Sequence, residues 1–273
     1  MVGVLGVSAS AILVRFSQAP SGVTAAYRLG WTVLLLLPVV LLRCRAELRR
    51  VTARDLVLCG ASGVLLALHF LTWFESLKRT SVASSTVLVS TEVIFTALGF
   101  ALFLHGKIPR LGVWAILLAF GGSALLALSG GGGAGELSGN LLALAAASAA
   151  AVYTLIGRIQ RGHLSTTVYT FLTYLACFLT LLLGTAAAGT PLTGYGGREW
   201  LIGLALAVLC TLLGHSLFSW CLKYLSPSYV SAAKLCEPVF SSLAAIPLFG
   251  EVPGPLQLAG GAAVLGAVLL YTW

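Results

Sequence analysis

The chain has 273 residues, 59% of them hydrophobic and 9% charged, with a formal charge of +8 and a mean hydropathy of +1.01. A soluble domain of this length has too little interior to hide so much apolar surface, so lipid must be the solvent for most of it. The positive charge punctuates the ends of apolar runs instead of gathering into a patch, which argues against nucleic acid as a partner and reads as membrane topology.

A hydrocarbon layer about 30 Å thick needs roughly 20 helical residues per crossing. The sequence predicts an all-α integral membrane protein of about ten transmembrane helices, over residues 2–16, 23–42, 55–76, 82–104, 111–129, 139–157, 165–186, 200–222, 228–249 and 255–272. The first run lacks a positive leading segment and is read as a helix, not as a cleaved signal; at 1.5 Å per residue it is short for a span. Breaks fall at Ala19-Pro20-Ser21-Gly22, the Arg-rich stretch from Arg43 to Arg54, Ile108-Pro109, Gly130 to Gly133, Thr190-Pro191, Ser226-Pro227 and Pro253-Gly254-Pro255. With the N-terminus in the cytoplasm, ten basic residues fall in inner loops and four (Arg15, Lys78, Arg79, Arg198) in outer loops, which predicts both termini inside. Arg28 and Lys234 fall within spans. A multi-pass cell-membrane protein is expected, and the lack of an Asn-x-Ser/Thr sequon fits a bacterial inner membrane.

Three landmarks recur in order across the glycine run: His69 with His215, Glu92 with Glu237, and Gly106-Lys107-Ile108 with Gly250-Glu251-Val252. Each half holds five runs, an odd number, so the second enters the membrane upside down relative to the first. The halves are residues 1–129 and 139–273, joined by an outer Gly-rich connector at 130–138. Lys107 inside and Glu251 outside suit opposite faces of the membrane.

An ionisable group near the bilayer centre costs about 2.5 to 3.5 kcal/mol on insertion scales and is kept where it pairs, lines a cavity or carries protons. By helix rise Glu92 and Glu237 both lie about 14 to 15 Å deep, one from each half. Lys234 precedes Glu237 by three residues, on the same helix face, so the two could read a zwitterion or neutralise each other. Glu92 stands alone in its run, where a proton relay and a structural hydrogen bond are both open. Arg28, five residues into its span, is close enough to the surface to snorkel. His69 and His215 occupy mirrored depths, and hydrogen bonding to a neighbouring helix is the plainer reading of each. Trp73 and Trp220, about a turn further along, fit either a cavity wall or the interfacial aromatic belt. Small residues form stripes in the fifth run (Ala115, Ala119, Ser123, Ala127) and the tenth (Ala259, Ala263, Ala267), permitting close helix contact within the chain or in a homodimer.

Ile12-Leu13-Val14-Arg15, Tyr27-Arg28-Leu29, Glu237-Pro238 and Phe249-Gly250-Glu251-Val252 ahead of a Gly-rich tenth run resemble the EamA-type carriers of the drug/metabolite transporter superfamily, over essentially the whole chain. Lys107 departs from that pattern, where a Gly-Glu pair is common. The resemblance implies two five-helix repeats, a role for Arg28 in orienting an anionic group or pairing an acid, and a fifth and tenth helix away from the transport path.

No nucleophile with its base, phosphate loop or paired thiol spacing is present, so neither an enzyme nor a cofactor or metal site is expected. The function expected is transport, in the export direction, of a small amino-acid-like or weakly charged metabolite by alternating access around a midplane cavity, with proton coupling open. A non-transporting scaffold and an anion exchanger for sugar phosphates or nucleotide sugars are the alternatives.

Overall fold

The computed structural model describes residues 2–103, 110–129, 134–225, 230, 234 and 236–272. Among these every regular element is helical: α1 (Val2–Phe16), α2 (Ser21–Arg43), α3 (Arg45–Leu48), α4 (Ala53–Arg79), α5 (Val82–Val89), α6 (Glu92–Phe103), α7 (Arg110–Ser129), α8 (Ala134–Gln160), α9 (Thr166–Ala187), α10 (Gly197–Ala205), a π-helical stretch (Leu206–His215), α11 (Ser216–Cys221), α12 (Cys236–Phe249) and α13 (Pro255–Thr272). Six helical stretches are long and apolar enough to cross a membrane, and four shorter apolar helices, Gly3–Phe16, Arg110–Leu126, Glu237–Phe249 and Pro255–Ala267, accompany them. Leu42, Leu183 and Leu201 are exposed on the outside while Arg28, Thr32, Ser62, Thr96 and Thr173 are fully buried. Water as solvent would select the reverse distribution; lipid selects this one.

Two predicted runs differ from simple spans. The run 82–104 is broken: Thr86 and Ser90 turn their hydroxyls back onto the carbonyls of Val82 and Thr86, and Thr91 onto that of Leu88, at 2.6 to 2.9 Å. Hydroxyls that compete for backbone carbonyls weaken a helix, and the chain starts again at Glu92, in the first turn of α6. In the run 228–249 the described helix begins at Cys236, with Lys234 in a turn whose carbonyl accepts from the Glu237 amide at 2.8 Å. Both membrane acids therefore stand in the first turn of a helix. The Arg-rich stretch, expected as a break, holds the short α3. Gly106-Lys107-Ile108, Gly130 to Gly133 and Ser226-Pro227 lie outside the described residues.

Several packing pairs correspond between residues 2–129 and 134–272. α1 lies against the π-helical stretch as α8 lies against α4; α1 contacts α12 as α8 contacts α5 and α6; α4 lies on α9 as α10 lies on α2. The α7–α13 pair stands in close contact: a Cβ added to Gly122 would meet the Gly260 carbonyl oxygen at 2.8 Å, and one on Gly260 would meet that of Gly122 at 2.9 Å. Ala115, Ala119 and Ser123 are buried, as the stripe in the fifth run predicts. The stripe in the tenth run is corrected, because Ala259 is exposed and the buried face is Gly260, Gly261, Val264 and Ala267. Backbone-to-backbone contact admits no side chain, so Gly122→Val is expected to lower the melting temperature in detergent by about 5 °C or more. Gly121→Val is the control with little expected effect, since a Cβ there meets nothing within 4 Å.

Candidate functional site

α1, α2, α4, α5, α6, α8, the π-helical stretch and the start of α12 surround one internal cavity of about 30 Å³, room for on the order of two water molecules. Its polar wall is Ser10, Arg28, His69, Trp73, Glu92, Tyr153, His215, Lys234 and Glu237; Val7, Leu66, Val89 and Ala150 complete it. Seven of the eight residues singled out in the sequence thus share one cavity. Trp220 does not: it is half exposed on the outer surface, with its ring 5.0 Å from that of Tyr224.

Arg28 does not snorkel. It is 0% exposed, and its guanidinium stacks over Phe70 at 4.2 Å from the ring centroid. Nε donates to Thr211 Oγ1 at 2.7 Å and Nη1 to Ser10 Oγ at 3.1 Å, while Nη2 is buried with no partner among the described residues. The π-helical stretch supplies Thr211, whose hydroxyl also reaches the carbonyl five residues back, that of Leu206, a spacing particular to the wider π turn.

Lys234 pairs across the bundle with Glu92, its Nζ lying 3.0 and 3.1 Å from the two carboxylate oxygens, and not with Glu237 as its spacing suggested. Thr154 Oγ1 donates to the same carboxylate at 2.9 Å, so Glu92 is not alone. Glu237, also buried, accepts no side-chain hydrogen bond among the described residues.

His69 Nδ1 lies 3.0 Å from the carbonyl of Ala146 on α8. A carbonyl only accepts, so Nδ1 carries the proton and Nε2 of the neutral ring is left as an acceptor. His215 stands 6.4 Å away, and Phe70, Tyr153 and Trp73 join the two imidazoles in a wall of rings. Trp73 is buried here and not in the aromatic belt, and its Nε1 has no partner among the described residues. No three His, Cys, Asp or Glu residues are grouped to hold a metal among the described residues. Sequence reasoning missed Ser10, Thr154, Thr211 and Tyr153; the available signal was hydroxyls in the middle of apolar spans, which in lipid need a hydrogen-bond partner.

The profile of the EamA-like transporter family matches residues 1–128 and 137–273. The chain belongs to the EamA-like transporter family. It is 24% identical over 207 residues to the "Pseudopaline exporter CntI" of Pseudomonas aeruginosa (strain UCBPP-PA14), covering 76% of this chain and 72% of that protein. It is 28% identical over 233 residues to the "Probable terminal-alkyne amino-acid exporter" of Streptantibioticus cattleyicolor, covering 81% and 75%. A solved crystal structure shares the fold with a TM-score of 0.70 at 19% identity, over 99% of this chain and 94% of its own. The molecule is therefore a multi-pass membrane transporter, and not an enzyme.

Proposed function

We propose that this transporter exports a small amino-acid-like metabolite whose carboxylate is taken by Arg28 and whose ammonium is taken by Glu237. The observation that carries the reading is a pair of opposite charges around one buried cavity: among the described residues the Arg28 Nη2 has no acceptor, and no side chain is seen to donate to the Glu237 carboxylate. A buried charge is retained where something meets it, and a zwitterion meets both. The cations do not suit a phosphate-bearing substrate, because Lys234 is already committed to Glu92 and leaves Arg28 alone. The two relatives named as exporters, one of them of an amino acid, agree in direction and class.

A cavity with room for about two waters is too small for an amino acid, so the present form is contracted and must widen on one side at a time. Two inverted halves, residues 1–129 and 139–273, provide the moving bodies, ten crossings in all, and the reciprocal contacts listed by helix above support that division. Both termini are cytoplasmic in this reading, in a bacterial inner membrane. The small-residue faces of α7 and α13 brace the fold within one chain, without calling on a homodimer.

The test is flux of a labelled metabolite panel in proteoliposomes with wild type or Glu237→Gln, with and without a pH gradient. A specific flux lost in Glu237→Gln at unchanged protein abundance supports the site, and acceleration by the gradient adds proton coupling. Equal flux in the variant removes Glu237 from the site, and indifference to the gradient removes coupling.

A further inference from the structure

We infer that Arg15 and Glu251 form a latch that holds the Arg15 end of the transport cavity shut. Both belong to motifs that the cavity does not use, and the fold brings them together across 236 residues of sequence. Arg15 ends α1 and donates through Nη1 to the carbonyls of Leu77 and Thr80, at the end of α4. Its Nη2 lies 2.6 Å from Glu251 Oε1. The other oxygen, Oε2, accepts from the Val82 amide at 2.8 Å, at the first residue of α5, where the helix end carries partial positive charge. One carboxylate from the α12–α13 turn thus ties the ends of α1 and α5, and Arg15 extends the tie to the end of α4. Gly250, at φ +70, makes the turn that aims it, and Phe249 rests on Phe16 with ring centroids 5.1 Å apart.

Among the described residues the opposite end has several corresponding contacts but no counterpart of this one. Arg158 donates to the carbonyls of Leu222 and Lys223 as Arg15 does to those of Leu77 and Thr80. Asp55 in the first turn of α4 bonds His163 at 2.7 Å, as Glu199 in the first turn of α10 bonds the Ser17 hydroxyl at 2.6 Å and the Gln18 amide at 3.1 Å. The sequence counterpart of Glu251 is Lys107, which has no carboxylate to offer Arg158. Among the described residues a carboxylate clasp on a helix-ending arginine is therefore seen at the Arg15 end only, and it biases the resting carrier toward opening at the other. With the Arg15 end outward, that leaves the cavity to the cytoplasm, where an export substrate enters. The comparison of the two ends rests on the inverted-halves reading; the latch itself does not.

The test uses a background with native cysteines replaced and export retained, carrying Val89→Cys on the cavity wall and labelled by a membrane-impermeant thiol reagent. Glu251→Gln keeps an acceptor for the Val82 amide and loses the charge; it is expected to speed labelling from the Arg15 end about tenfold, with labelling from the other end unchanged. Arg15→Gln is expected to match it, and the double variant to be no faster than the faster single, since both lose one contact. Unchanged labelling in both variants, or equal acceleration from both sides, overturns the latch. Flux of a labelled amino-acid panel in the same vesicles reads the cavity separately: Arg28→Gln removes flux and leaves the labelling rate alone.

Discussion

Arg28→Met is expected to reduce export at least about thirtyfold without lowering the melting temperature of the protein. The two halves of that expectation come from one geometry. Two guanidinium nitrogens are spent on Thr211 and Ser10, and the third is buried without a partner among the described residues. An unsatisfied buried charge is a liability for stability, and an apolar side chain of similar length in its place is often neutral or stabilising. Loss of a buried charge that meets the ligand's charge costs about 2 to 5 kcal/mol of binding, which is a factor of about thirty or more. Arg28→Lys keeps the charge but not the planar fork, since an ammonium cannot reach two hydroxyls and the cavity along fixed directions, and is expected to retain under a tenth of the flux. Flux in proteoliposomes and melting in detergent check both. A variant that loses stability and flux together would make Arg28 a structural strut.

The architecture was legible because lipid simplifies the problem. Apolar length sets each crossing, charge marks the ends, and the landmarks His69/His215 and Glu92/Glu237 recur at nearly constant spacing. Seven of the eight candidates do meet in one cavity. What a linear reading could not give was the facing of side chains across the bundle. Lys234 and Glu237 are neighbours in sequence, yet the break that starts α6 at Glu92 presents that acid to Lys234 instead. Arg28 looked shallow enough to reach water, but Ser10 on the preceding helix and Thr211 far along the chain hold it inside. Trp220 matched Trp73 by spacing alone. In the structure it follows the π-helical stretch Leu206–His215, which changes the phase of the helix and so the face presented downstream.

The Glu92–Lys234 pair separates structure from coupling, and its variants are expected to behave non-additively. Glu92→Gln or Lys234→Met alone strands an uncompensated charge in the bundle, a loss of about 3 to 5 kcal/mol for a buried pair broken on one side. Either single variant should therefore accumulate poorly and melt early. The double variant Glu92→Gln/Lys234→Met leaves no charge to strand, and Thr154 keeps an amide oxygen to donate to. It is expected to recover melting to within about 1 kcal/mol of the parent, so the coupling energy of the cycle approaches the sum of the two single losses. Transport in the recovered protein then decides the role of Glu92. Gradient-driven export that persists makes the pair a bolt between α6 and the α12 entrance; substrate exchange that survives while gradient-driven accumulation is lost makes Glu92 the carboxyl that couples proton movement to the carrier.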